Sequence, residues 1–156
     1  MPPDKASLKE QLLVALRADL TVLEKAQAAA REGATHEEAK PENDKDTRAL
    51  EASYLARGQA QRVRELQDGI RDVEATALRD FKEAPVALGA LVLVLQDGES
   101  RAFFVAACGG GLMLDGVNVV TPKSPLGRAL LGAREGDERE VTLAGKTRSL
   151  SIVSVK

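Results

Sequence analysis

Between Glu37 and Asp46 five carboxylates, Glu37, Glu38, Glu42, Asp44 and Asp46, stand against two lysines, Lys40 and Lys45. Carboxylate oxygens are hard donors of the kind Mg²⁺ prefers, but Mg²⁺ gives up its water reluctantly and a lone protein pair holds it weakly. Such a cluster could therefore do chemistry by carrying acid into a site whose owner already holds the metal. Its plain alternative is a solvated acidic turn ahead of a helix, where negative charge suits the helix dipole. His36 is the only histidine; without a second His or a Cys beside it, it reads as an exposed loop residue. It also leaves no Ser/His/Asp set. Cys108, the lone cysteine, forms neither an internal disulfide nor a cysteine zinc site, and reads as a buried structural thiol. Gly109-Gly110-Gly111 lacks the spaced glycines and Lys-Ser/Thr of a phosphate loop.

The composition narrows the classes. The 156 residues carry 22 basic and 24 acidic side chains, a net charge of -2. Direct gripping of nucleic acid wants a strongly basic face, so this balance argues against it. Aromatics are Tyr54, Phe81, Phe103 and Phe104 alone, too few for base-stacking platforms or an aromatic-lined ligand pocket. The longest apolar run, Ala87 to Leu95, is too short to cross a bilayer as a helix. No signal segment is apparent at the start, and the expectation is a cytoplasmic protein without membrane attachment.

The elements that must position the acids divide near Pro85, giving an expected hairpin over 1–84 with its acidic tip near 33–47, and a β domain over 85–156. Leu12, Leu16, Leu20, Leu23, Ala26 and Ala30 recur at spacings of three and four, which predicts an amphipathic helix from about Asp4 to Glu32, stopped by Gly33. A second helix is predicted from Pro41–Asp44 to about Lys82. Its seam of Ala49, Ala52, Ala56, Val63, Leu66, Ile70, Val73 and Ala77 follows heptad spacing. Two long helices with a short connection pack antiparallel. The tip-proximal half of that seam is alanine, which makes a slim rod.

After Pro85 strand runs alternate with glycine turns. Hairpins are predicted over Leu88 to Ala107 around Asp97-Gly98, over Leu112 to Thr121 around Asp115-Gly116, and over Glu138 to Val155 around Ala144-Gly145. One short helix is predicted with Ser124 as N-cap, Pro125 at the first position and Gly132 at the end. The fold class is α+β.

The run Ser124-Pro125-Leu126-Gly127-Arg128-Ala129-Leu130-Leu131-Gly132, with Glu135-Gly136-Asp137-Glu138 after it, resembles the C-terminal signature of the GreA/GreB transcript cleavage factors. The final strand Ser149 to Val155 is similar to that family's too. The resemblance implies an N-terminal coiled coil and a C-terminal FKBP-like domain. It implies a monomer that binds bacterial RNA polymerase, docks at the rim of its secondary channel and inserts the coiled coil. It further implies tip carboxylates that help hold Mg²⁺ in the polymerase, where it drives cleavage of backtracked RNA. The factor then has no cofactor of its own, meets the RNA 3′ end only through the polymerase, and is not itself an enzyme.

The tip residues singled out for that role are Glu42 and Asp44, with Glu38 and Asp46. Asn43, Ser124, Pro125 and Arg128 are the partner contacts, although capping and packing account for Ser124 to Gly132 equally well. The family's tip motif runs Gly-Asp-Leu-Ser-Glu-Asn or close to it. The matching stretch here is Glu38-Ala39-Lys40-Pro41-Glu42-Asn43. Glu42 and Asn43 fit, and the motif's Asp falls on Ala39. A channel-binding regulator without cleavage is therefore the alternative. A coiled-coil adaptor and a peptidyl-prolyl isomerase are further alternatives; the isomerase is disfavoured because Phe103 and Phe104 are adjacent and face opposite sides of one strand.

Overall fold

The computed structural model describes residues 3–35 and 47–156. Helix α1 spans Lys5–Thr35 and helix α2 spans Thr47–Ala75. The predicted stripe on α1 is the inward one: Leu12, Leu16 and Ala30 are buried, and Leu20, Leu23 and Ala26 are half-buried. On α2 the seam runs Ala49, Ala52, Ala56, Gln59, Val63, Leu66, Ile70 and Val73, all shielded at least in part. Lys9 reaches Glu74, while further along α1 Leu20 lies with Gln67 and Ile70. Numbers rise on one helix as they fall on the other, which is the antiparallel order.

Two helix boundaries differ from expectation. Helix α1 passes through Gly33 to Thr35, since a glycine at the end of a long helix costs only ~1 kcal/mol relative to alanine. Helix α2 ends at Ala75, not near Lys82. Ala77 is exposed and outside the helix, so the seam stops at Val73. The reason lies in Phe81, which is fully buried among the core residues of the β domain. Burying that ring stabilises by roughly 1.5–3 kcal/mol, and the chain must leave the helical path to do so. The start predicted for α2, at Pro41–Asp44, lies outside the described residues.

Six strands follow: β1 Leu91–Gln96, β2 Glu99–Val105, β3 Met113–Leu114, β4 Val117–Val120, β5 Glu138–Leu143 and β6 Lys146–Val155, with helix α3, Pro125–Leu130, between β4 and β5. Their order across the sheet is β3-β4-β2-β1-β6-β5. The three predicted hairpins are present. At each, both turn residues have positive φ: Asp97 and Gly98, Asp115 and Gly116, Ala144 and Gly145. That is the type I′ geometry whose twist matches paired strands. The strands of the first hairpin are shorter than expected at their outer ends, although Gly89 and Ala90 still exchange backbone bonds with Val105.

One pairing is parallel, β2 with β4, in the register Phe103↔Asn118 and Phe104↔Val119. It joins the first two hairpins into one sheet. In β6 the register against β1 slips between Leu93 and Val94. This bulge turns Val153 out to solvent while Leu150, Ile152 and Val155 all stay buried, a spacing that strict alternation would forbid.

Alternation along β2 sends Phe103 and Phe104 to opposite faces. Phe103 belongs to the core formed with Val92, Val94, Leu130, Val141, Leu150 and Ile152. Phe104 is also buried, on the face where it meets Lys9, Val73, Thr76 and Leu78. The first turns of α1 and the tail of α2 therefore belong to the sheet domain. Accordingly the chain resolves into two compact units, residues 1–13 with 72–156, and residues 14–71.

Candidate functional site

Glu38, Glu42, Asn43, Asp44 and Asp46 all lie outside the described residues, as does His36. The structure does describe the other predicted contact region, Ser124 to Gly132. The Ser124 hydroxyl donates to the carbonyl oxygen of Thr121 at 2.8 Å and accepts from the Gly127 backbone N–H at 3.0 Å. It is thus a true N-cap, satisfying one of the donors that a helix start leaves unpaired. Pro125 follows at the first helical position, where its missing N–H costs nothing. Gly132 takes φ 78° and its N–H bonds to the carbonyl of Val86, which pins the helix end to the segment ahead of β1.

Gly127 is the residue whose importance spacing alone did not reveal. A Cβ placed on it would lie 1.8 Å from the Thr121 carbonyl oxygen and 2.9 Å from Ser124 Oγ. The glycine lets α3 press directly onto the loop leaving β4. A glycine inside a helical pattern was the available signal, since it costs stability unless packing requires it. Arg128 folds back, donating Nε and Nη2 to the Lys123 carbonyl oxygen at 3.1 and 2.8 Å, so it braces the same loop.

Beside this helix start is an open groove of about 480 Å³, lined by Phe103, Asn118, Val120, Thr121, Ser124, Pro125, Leu126 and Leu143, with Arg101 at its margin. The floor is apolar and the rim carries exposed Pro125, Leu143 and Arg101. Ser124 and Pro125 are thus brought together on one groove, while the Arg128 head is turned to Lys123. Arg101, Asn118 and Leu143 come from three different strands, and only the sheet order brings them to Pro125. The groove holds one aromatic ring, Phe103, and its one ionisable group is Arg101. No cluster of three metal-ligating side chains occurs among the described residues. None of the helices described is long and apolar enough to cross a membrane.

The described chain combines a pair of long antiparallel helices, a mixed sheet and an apolar groove beside a capped short helix. The family model for the C-terminal part of the transcription elongation factors GreA/GreB matches residues 83–156. GreA of Rhodococcus erythropolis PR4 is 33% identical over 122 residues, 72% of this chain and 71% of that protein. GreA of Mycobacterium tuberculosis H37Rv is 34% identical over 103 residues, 63% of this chain and 62% of its own length. The match thus spans somewhat under two thirds of the mycobacterial relatives. Among solved structures, Gfh1 of Thermus thermophilus superposes with a TM-score of 0.42 at 22% identity, covering 95% of this chain and 92% of that one. The chain belongs to the GreA/GreB family of transcription elongation factors.

Proposed function

We propose that this chain docks on bacterial RNA polymerase through the groove at Ser124–Leu126 and places its helical arm in the secondary channel. There Glu42 and Asp44, with Glu38 and Asp46, meet the polymerase's Mg²⁺ and support cleavage of backtracked RNA. Family membership supports the partner. The observation that carries the docking reading is the Ser124–Gly127 construction, which holds Pro125 exposed on the rim of an apolar groove. The tip contributes hard oxygen donors of the type Mg²⁺ takes. When bound, the metal supplies charge neutralisation and an activated water. The chain's own residues position and ligate, and the polymerase remains the enzyme.

A second reading has a specific observation behind it. Ala39 stands where the family motif has Asp, and Pro41 interrupts the same stretch. A factor with that tip occupies the channel and regulates initiation or pausing without cleavage. A defined backtracked elongation complex separates the two. Wild-type protein is expected to release short 3′ RNA fragments, and the double variant Glu42→Ala, Asp44→Ala to bind equally but release none. Cleavage that persists in the variant refutes the tip assignment. Binding without cleavage by the wild type establishes the second reading.

A further inference from the structure

Strand order fixes where the charge of the α3 groove stands. Arg101 and Phe103 are two residues apart on β2 and so share a face of the sheet, and the parallel register sets Asn118 beside Phe103. Asn118 also pairs with Met113 of β3, so its backbone lies in ladders on both sides while the residue lines the groove. The floor between Phe103, Val120 and Leu126 is apolar. At its margin the Arg101 guanidinium is half exposed, and its ion-pair partner, Glu99, stands 3.6 Å away and is more exposed still. Charge-assisted bonds of this kind close at about 2.7–2.9 Å, and an exposed pair this loose holds its members weakly. Other arginines of the sheet domain are committed: Arg128 to the Lys123 carbonyl oxygen at 2.8 Å, and Arg148 to Asp97 at 3.0 Å. An apolar floor with one cation at its end suits an apolar side chain with a carboxylate beside it, since guanidinium and carboxylate match as planar forks. A nucleic-acid strand would want several cations along its track, and the groove is lined by one.

We propose that Arg101 determines which segment the groove accepts: it pairs with a carboxylate of the docked polymerase segment, whose neighbouring apolar side chain fills the floor between Phe103, Val120 and Leu126. This rests on the docking function proposed above. The test titrates core RNA polymerase with the full chain at about 50 and about 300 mM salt, between which the screening length falls about twofold. Arg101→Met keeps an apolar stem and removes the charge; it should weaken binding about tenfold at the lower salt, with Tm unchanged. Arg101→Lys, which keeps the charge and loses the fork, should cost about threefold, and Arg101→Glu at least thirtyfold. At the higher salt the gap between wild type and Arg101→Met should narrow to about threefold. Pro125→Asp, measured alongside, reports on the groove itself. Arg101→Met that binds within twofold of wild type, while Pro125→Asp binds weakly, overturns the inference and leaves the docking reading standing. A gap that salt does not narrow places the effect in packing and also overturns it, as does tighter binding by Arg101→Glu. Polymerase binding unaffected by Pro125→Asp, or absent in the wild type, refutes the docking reading and the inference with it. A labelled single-stranded RNA oligomer is titrated into the protein without polymerase; RNA binding that Arg101→Met abolishes would make nucleic acid the occupant and overturn the proposal.

Discussion

Replacing Gly127 by alanine sets two physical arguments against each other. Gly127 lies within α3 at an ordinary negative φ, so helix propensity alone makes alanine better by ~1 kcal/mol. The structure argues the opposite. The new methyl would meet the Thr121 carbonyl oxygen at 1.8 Å and its carbon at 2.7 Å, backbone atoms that no rotamer change can move aside. Helix α3 must shift off the β4 loop, and the shift pulls apart both bonds of Ser124, to Thr121 and from Gly127. Overpacking of this kind costs ~1–3 kcal/mol. Loss of the cap adds ~1 kcal/mol, and loss of the hydroxyl's bond to Thr121 about 1 kcal/mol more. Against the propensity gain, the net destabilisation is about 2–4 kcal/mol, among the larger effects a single substitution produces. Thermal unfolding of the full chain by circular dichroism reads it as a fall in Tm of about 5–15 °C. An unchanged or raised Tm would refute the close-approach argument, and with it the account of how Pro125 is held on the groove.

Two other predictions follow from backbone and charge. Ala144 sits at φ 53° in a turn that needs positive φ, and a left-handed conformation costs an ordinary residue ~1–2 kcal/mol, less for asparagine. Ala144→Asn should therefore stabilise by ~1 kcal/mol in urea unfolding; a loss of stability contradicts the turn assignment. Burial holds Lys5 below the ordinary lysine value of 10.5, against the raising pull of Asp80 and Asp4. At neutral pH both folded and unfolded chains are protonated there and the folded state bears the full penalty. As pH rises past the lowered folded value towards 10.5 the folded chain releases its proton first, so stability rises. The stability of wild type relative to Lys5→Met should improve over that alkaline range, and a flat difference contradicts the shift.

Much of this architecture was legible because its signals are local. The Asp-Gly turns fix their hairpins by the φ they demand, and Ser124, Pro125 and Gly132 mark α3 by its own orphan groups. The stripe from Leu12 to Ala30 is read within one helix. What escaped depends on distant partners. Helix α2 stops at Ala75 because Phe81 belongs to the sheet core. The parallel β2–β4 pairing joins strands of different hairpins, and no turn residue announces it. Gln59 lies on the seam of α2 with its side-chain oxygen shielded and unpaired, a polar residue in an apolar pattern that hydrophobic spacing passes over. The groove was half legible: Ser124 and Pro125 by sequence, Arg101, Asn118 and Leu143 only through strand order. The carboxylates of the tip rest on sequence alone.

The central claim is that the groove beside α3 is the polymerase-docking surface. Equilibrium titration of core RNA polymerase with full-length wild type and with Pro125→Asp tests it most directly. Aspartate at the first position of a helix suits the dipole and preserves the fold, while it places charge on the apolar rim. Saturable binding by wild type, weakened at least tenfold in Pro125→Asp with unchanged Tm, is the result this account predicts. Equal binding by the two proteins, or none by the wild type, would contradict it.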